Sequence, residues 1–515
     1  MLSKIYSAGL RGVEGFEVTV ECSGWDRLPR FDLVGLPDNA VKESKERVRF
    51  ACENSGFQFP EMELMVNLAP AHLKKEGSGF DVAILVSILQ CNGTIPYSLN
   101  LSDYCIIGEL SLSGELRPVE GVLCMCLAAK ASGRTKIIVP KQNEGEAAVV
   151  EGMTVFGAEN FRQVVKHLSG QEQIIPTKID LATLVSDTAF DSLLDMADVR
   201  GQEAAKRALE IAAAGGHHVL MIGPPGSGKS MLAKRLPSIL PPMHFDEMLE
   251  ASRVHSVMGQ LLGGVLLTKR PFRSPHHSVS MAGLVGGGAV PKPGEISLAH
   301  SGVLFLDELP EFSKAATEAL RQPLEDGVVS VIRASGHYTF PSRFMMIAAM
   351  NPCRCGYFGD PNKKCVCSER EVHSYLDKIS GPLLDRMDIQ VEVAAVSYDD
   401  MAGKTRKGED SAAIRSRVTH AREFAKARFA KAGDSCFANA NMTPAELRRH
   451  CVLTPEADAL LQRAFEKMGL SARGHDRILR VARTIADLEQ SQLINADHIR
   501  EAIQYRTLDR KYWNR

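Results

Sequence analysis

The sequence predicts an α/β chain of several domains, built on a core with a parallel sheet and ending in a helical region. Three observations carry that expectation. The first is Val219-Leu220-Met221-Ile222 running directly into Gly223-Pro224-Pro225-Gly226-Ser227-Gly228-Lys229-Ser230, after which Met231 to Leu236 opens a helix. A buried strand, a G-x-x-x-x-G-K-S loop and a helix in that order make a phosphate-binding P-loop. The second is the apolar run Val303-Leu304-Phe305-Leu306 ending in Asp307-Glu308, 78 residues beyond Lys229. The third is a change after residue 395 from short apolar runs to long patterns with helical spacing.

At 515 residues the chain is too long for a single hydrophobic core. A formal net charge of −1 excludes a globally basic nucleic-acid binder, so contact with DNA would have to be local. The first residues contain no apolar signal segment, and no apolar run approaches the roughly 18 residues of a membrane span. Twelve cysteines without a secretory signal point to a reducing compartment, the cytoplasm, where thiols stay free or bind metal.

Residues 1–170 read as a first α/β domain. Phe16, Val18 and Val20 alternate with polar residues as in a half-buried strand, and Phe31 to Leu36 reads as another strand closed by Pro37. Asp38 is placed to cap a helix carrying Val41, Val48 and Cys52. Further strands are expected at 64–68 and 135–140, with buried helices at 80–89 and 122–131. The polar stretch 171–190 reads as a linker. Asn67-Leu68-Ala69-Pro70-Ala71, Lys74 to Asp81, and Gly114-Glu115-Leu116-Arg117-Pro118-Val119 resemble the proteolytic domain of Lon and RadA-type proteins. That resemblance places a nucleophile at or beside Gly79, with Ser78 the nearest serine, and a lysine base near Leu123. A serine without its base is a poor nucleophile, so a Lon-like fold retained as a scaffold is expected.

Residues 191–395 carry the ATPase core. The glycines let consecutive N–H groups face phosphate oxygens at the positive end of a helix dipole. Lys229 is assigned to the β/γ-phosphates of ATP, and the Ser230 hydroxyl and Asp307 to Mg2+. Glu308 is assigned to polarising the attacking water. Asp198-Val199-Arg200-Gly201-Gln202 resembles the segment flanking the adenine in AAA+ ATPases. Phe344 to Met350 is a buried strand ending in Asn351, the position of sensor 1 in those proteins. Leu383-Leu384-Asp385-Arg386-Met387-Asp388 resembles a segment of MCM and magnesium-chelatase-like ATPases whose arginine enters the neighbouring subunit's site; a structural ion pair is the other reading of Arg386.

Two stretches look like insertions. Phe272 to Gly288 is polar and glycine-rich. His276 and His277 within it are expected to point apart and serve packing or loop hydrogen bonds rather than metal. Val328 to Phe340 reads as a β-hairpin turning at Ser335-Gly336. In the resembling ATPases such inserts face the ring's pore, which makes Arg333 and His337 the candidates for contact with DNA. Cys353, Cys355, Cys365 and Cys367 fall within fifteen residues. Two Cys-x-Cys pairs across a turn suit a closed, structural thiolate site for Zn2+, with free buried thiols as the other reading.

Residues 396–515 are expected to form a helical lid. Ser471-Ala472-Arg473 opens one of its helices and resembles the sensor 2 segment, with Arg473 the matching arginine and Arg477 and Arg480 close by. The order of these parts, with Ala348-Ala349-Met350-Asn351-Pro352-Cys353 and Ala482-Arg483-Thr484-Ile485-Ala486-Asp487-Leu488, resembles the YifB/ComM family of magnesium-chelatase-like AAA+ proteins across essentially the whole chain. The resemblance implies a homo-hexameric ring ATPase that moves on single-stranded or branched DNA, a branch-migration helicase of natural transformation. An ATP-dependent Lon-like peptidase and a chelatase-type motor acting on a protein partner are the alternatives.

Overall fold

The computed structural model describes residues 2–180, 194–333, 336–361, 363–395, 408–434, 436 and 438–513. The expected boundaries near 191 and 396, the second half of the linker and the turn residue Ser335 lie outside the described residues.

The first domain is built on a seven-stranded mixed sheet. Its order is Arg30–Val34, Glu63–Ala69, Glu14–Trp25, Leu2–Arg11, Tyr104–Ile106, Lys136–Pro140 and Thr154–Ala158. Leu2–Arg11 and Glu14–Trp25 form an antiparallel hairpin in which Ile5 faces Val20, both fully buried. The helices Asp81–Cys91 and Val122–Ala131 pack against this hairpin. Asp81–Cys91 is buried at every position, which explains its uninterrupted apolar sequence. Asp38 caps Asn39–Asn54 by accepting from Val41 N–H at 2.8 Å. The expected strand through Leu36 stops at Val34, because Gly35 and Leu36 take φ of 103° and 55° and turn the chain. Residues 171–180 are tied to this domain: Thr177 bridges to Val155, and its hydroxyl donates to Glu144 at 2.7 Å.

The core domain holds a five-stranded, fully parallel sheet in the order Phe272–Arg273, Val303–Leu306, Met345–Met350, Val219–Ile222, Ile389–Glu392. The central strands are buried on both faces, as unbroken apolar runs require. One face, with Val219 and Met221, packs on Glu203–Gly215 and the C-terminal helices Ser411–Ala432 and Ala472–Leu488. The other, with Leu220 and Ile222, joins a cluster that includes Phe340 of the hairpin and Val13 and Cys124 of the first domain. That shared core makes the first domain a neighbour of the ATPase rather than an appendage. No helix among the described residues is long and apolar enough to cross a membrane.

Candidate nucleotide-binding and hydrolysis site

In an open parallel sheet, ligands bind beyond the carboxyl ends of the strands. The loop 223–228, Asp307-Glu308 and Asn351 leave the carboxyl ends of three adjacent strands and meet there. Gly226 and Gly228 have φ of 75° and 92°, and no atom lies within 4 Å of where a Cβ would stand, so the loop backbone is bare on its open side. Lys229, at the head of the helix Lys229–Ile239, is buried. Its Nζ donates to Gly223 O at 2.7 Å, Pro224 O at 2.9 Å and Asn351 Oδ1 at 3.2 Å. Burial pulls the Lys229 ammonium down to about 8, and the charges of Asp307 and Glu308 oppose that shift. Ser230 Oγ donates to Asp307 Oδ2 at 2.6 Å. Two adjacent Mg2+ ligands stand about 3 Å apart, so this pair suits one cation.

Glu308 adopts φ 53°, ψ 47°, an uncommon region for a non-glycine residue. This turn swings its carboxylate away from the strand axis and leaves it largely exposed. Its ion-pair partner is His277, with Nδ1 3.5 Å from the carboxylate. Sequence reading missed that contact. The expectation that His276 and His277 point apart fails, since their rings lie 4.0 Å apart. They sit in a loop, so strand alternation does not apply; His276 makes the expected loop hydrogen bond, to Ser278 Oγ at 2.8 Å.

Arg386, Arg473, Arg477 and Arg480 are brought together elsewhere, lining one cavity of about 380 Å3 that contains none of the P-loop residues. Arg386 is 7% exposed, pairs with Glu325 and donates to Pro382 O at 2.6 Å. Arg477 lies 3.6 Å from Asp388. Burial would raise the Asp388 carboxyl, but the hydrogen bond from His217 and the Arg477 charge hold it well below the usual carboxylate range. Arg480 donates to Met442 O at 2.6 Å, whereas Arg473 is exposed with no ion pair among the described residues.

The hairpin Val328–Arg333 and Gly336–Pro341 leaves Arg333 and His337 exposed near its end. Arg11 of the first domain, which sequence reading also missed, reaches this end, with its guanidinium 5.9 Å from the Tyr338 ring. The four cysteine sulfurs of 353, 355, 365 and 367 lie within 4.8 Å of one another. Three of those separations are 3.3, 3.5 and 3.7 Å. A tetrahedral Zn2+ with bonds of about 2.3 Å sets its sulfurs about 3.8 Å apart, so the group fits this ion. The loop is anchored on the P-loop: a Cβ at Gly356 would stand 2.5 Å from Pro225 Cδ.

In the first domain Ser78 Oγ donates to Glu109 rather than to any lysine. Lys75 is fully buried, with Nζ donating to Pro70 O and to Leu73 O at 2.8 Å. Leu123, at the expected base position, lies in the core. The described residues thus contain no Ser-Lys pair at this place.

Three family models match the chain: subunit ChlI of Mg-chelatase over residues 18–143, magnesium chelatase, subunit ChlI over 195–401, and its C-terminal part over 408–506. Competence protein ComM of Haemophilus influenzae is 43% identical over 514 residues, covering 99% of this chain and 98% of that protein. YifB of Escherichia coli is 41% identical over 511 residues, covering 99% and 98%. Lon protease 2 of Bacillus subtilis is 25% identical over 129 residues, covering 25% of this chain and 23% of that protein. With the nucleotide-site geometry and full-length identity in agreement, the chain belongs to the YifB/ComM family of magnesium-chelatase-like AAA+ proteins.

Proposed function

We propose that this chain is a subunit of a homo-hexameric AAA+ ATPase that couples hydrolysis of ATP to translocation on DNA, acting in the cytoplasm as a branch-migration helicase during natural transformation. The supporting observation is the separation of two half-sites. Lys229, Ser230, Asp307, Glu308 and Asn351 gather at the P-loop, while Arg386, Arg473, Arg477 and Arg480 line a separate cavity. Hydrolysis then needs the arginines of one copy beside the P-loop of the next. Lys229 binds the β/γ-phosphates, Ser230 and Asp307 hold Mg2+, Asn351 and Glu308 orient the water, and guanidinium groups offset the charge of the transferring phosphoryl. Arg473, exposed and without an ion pair among the described residues, reaches across most readily, and Arg386 exchanges Glu325 for the neighbour's phosphate. The four cysteines hold a structural Zn2+ that braces the loop after Asn351. The printed name of the ComM relative supports competence as the setting, and Arg333, His337 and Arg11 supply the local positive charge for DNA.

The test is steady-state ATPase with single-stranded, duplex and branched DNA across a salt series. Stimulation that fades with salt, strongest with branched DNA, is the expected result. A flat response removes DNA and favours the second reading, a chelatase-type motor acting on a protein partner, which the family descriptions support. Mixing Arg386→Ala with Lys229→Ala protein tests the shared site: each alone is inactive, and mixed rings recover part of the ATPase. Mixed rings that form without recovery contradict that arrangement.

A further inference from the structure

A cleft in the first domain is lined by Ser78 and Gly79, where no Ser-Lys pair stands among the described residues, and the ATPase domain forms part of its wall. The cavity encloses about 750 Å3, within the range of pockets that hold a ligand or a few residues of polypeptide. Its apolar lining includes Leu10, Phe16, Phe80, Val119 and Met125. Its lining carries cations and carboxylates in near balance: Lys74 pairs with Glu76 at 2.8 Å and Lys292 with Glu120 at 2.8 Å, Arg117 outside the lining pairs with Glu109 at 3.5 Å, and Arg11 and Asp38 are of opposite sign. A neutral occupant therefore fits better than a nucleotide or another strongly charged ligand.

The backbone beside the cleft is also open. Gly77 has φ 83° and nothing within 4 Å of where a Cβ would stand, so another main chain can approach closely. Among the described residues, the N–H groups of Ser78 and Gly79 have no acceptor, and both residues line a cavity in which peptide carbonyls would supply one. At the mouth, Leu36 is 55% exposed in a left-handed conformation, φ 55°. A bulky apolar side chain held in a costly backbone region and presented to a cleft is a mark of a contact site.

We propose that this cleft binds, without cleaving, a short extended segment of a partner protein, neutral and apolar in character. Val257, Val290, Pro291, Lys292 and Tyr338 come from the ATPase domain, so an occupant touches both the first domain and segments that lie between Lys229 and Asn351 in the chain. A partner held there sits against the hairpin that carries Arg333 and His337. The proposal stands apart from the DNA reading.

The experiment uses full-length protein and a fluorescein-labelled peptide of uncharged, mainly apolar residues, followed by anisotropy and by gel for cleavage. Saturable binding with no cleavage is expected. Leu36→Asn keeps a residue that tolerates the left-handed backbone and removes the apolar contact. Val119→Trp fills the cleft. Each should weaken binding roughly tenfold while leaving basal ATPase unchanged. Absence of binding by the unaltered protein overturns the proposal, as does equal affinity in both variants. Cleavage that disappears in Ser78→Ala also overturns it, by showing a working peptidase. Peptide binding that persists in protein whose ATPase ignores DNA would remove the translocase reading and leave the cleft intact.

Discussion

Two buried lysines in glycine-rich loops show what separates a site from its remnant. Lys75 and Lys229 are both turned inward, both bonded to backbone carbonyls of their own loop, and both lowered in pKa by burial. Around Lys229 stand Ser227, Asn351, Asp307 and Glu308, supplied by three strands of one parallel sheet. Around Lys75 the side-chain bonds among the described residues lead to Pro70 and Leu73, and the nearby serine is engaged by Glu109. The lysine itself is therefore not diagnostic. Chemistry requires carboxylates and donors that converge from separate elements.

The largest expected effects test that contrast directly. Glu308→Gln should retain ATP binding and lower turnover by roughly 10²-fold or more, because a general base contributes about that much. Lys229→Ala should lose binding itself. Lys75→Met should leave turnover intact and instead lower thermal stability, since two half-buried carbonyls lose their donor at a cost of about 1 kcal/mol. Equal loss of turnover in Lys75→Met and Glu308→Gln would erase the distinction between the two loops.

A smaller effect is expected at the cysteine loop. The protein purified without chelator should carry one zinc per chain by elemental analysis, and Cys365→Ser should lower that content. Because Gly356 packs on Pro225, loss of the metal should weaken ATP binding several-fold without abolishing it. Full zinc content in a Cys355→Ser, Cys365→Ser double variant would remove the metal assignment. At the hairpin, Arg333→Ala should reduce the salt slope of DNA binding by about 1, as loss of one phosphate contact does. An unchanged slope would move the contact elsewhere.

What could be read from sequence follows the same division. The P-loop, Asp307-Glu308 and Asn351 are contiguous motifs at the ends of apolar strands, so local pattern specifies both the element and the position of the side chain. The cysteine group was legible for the same reason, its members lying within one loop. The arginine cavity was legible only one residue at a time. Arg386 and Arg473 come from distant segments, and nothing local indicates that they share a cavity with Arg477 and Arg480. His277 and Arg11 were missed because their partners, Glu308 and Tyr338, are brought to them by the sheet and the domain interface. Leu36 was assigned to a strand because its apolar character matched, whereas the following turn decides its backbone.

The smallest effect concerns His277. Glu308 rests in a left-handed turn, and His277 is its side-chain ion-pair partner. The loop bearing His277 continues into Met281–Val285 and Gly287, and a Cβ at Gly287 would stand 3.3 Å from an Arg333 nitrogen. One insertion thus touches the Glu308 carboxylate at one end and the hairpin at the other. Removing the His277 contact should free Glu308 from this orientation. A half-exposed ion pair contributes about 0.2–1 kcal/mol, so His277→Ala should raise basal ATPase by a factor of roughly 1.4 to 5. The ratio of DNA-stimulated to basal rate should fall by a similar factor, and His277→Asn, which keeps a donor, should restore part of it. A basal rate and a stimulation ratio both unchanged in His277→Ala would mean that the contact neither restrains Glu308 nor links it to the hairpin.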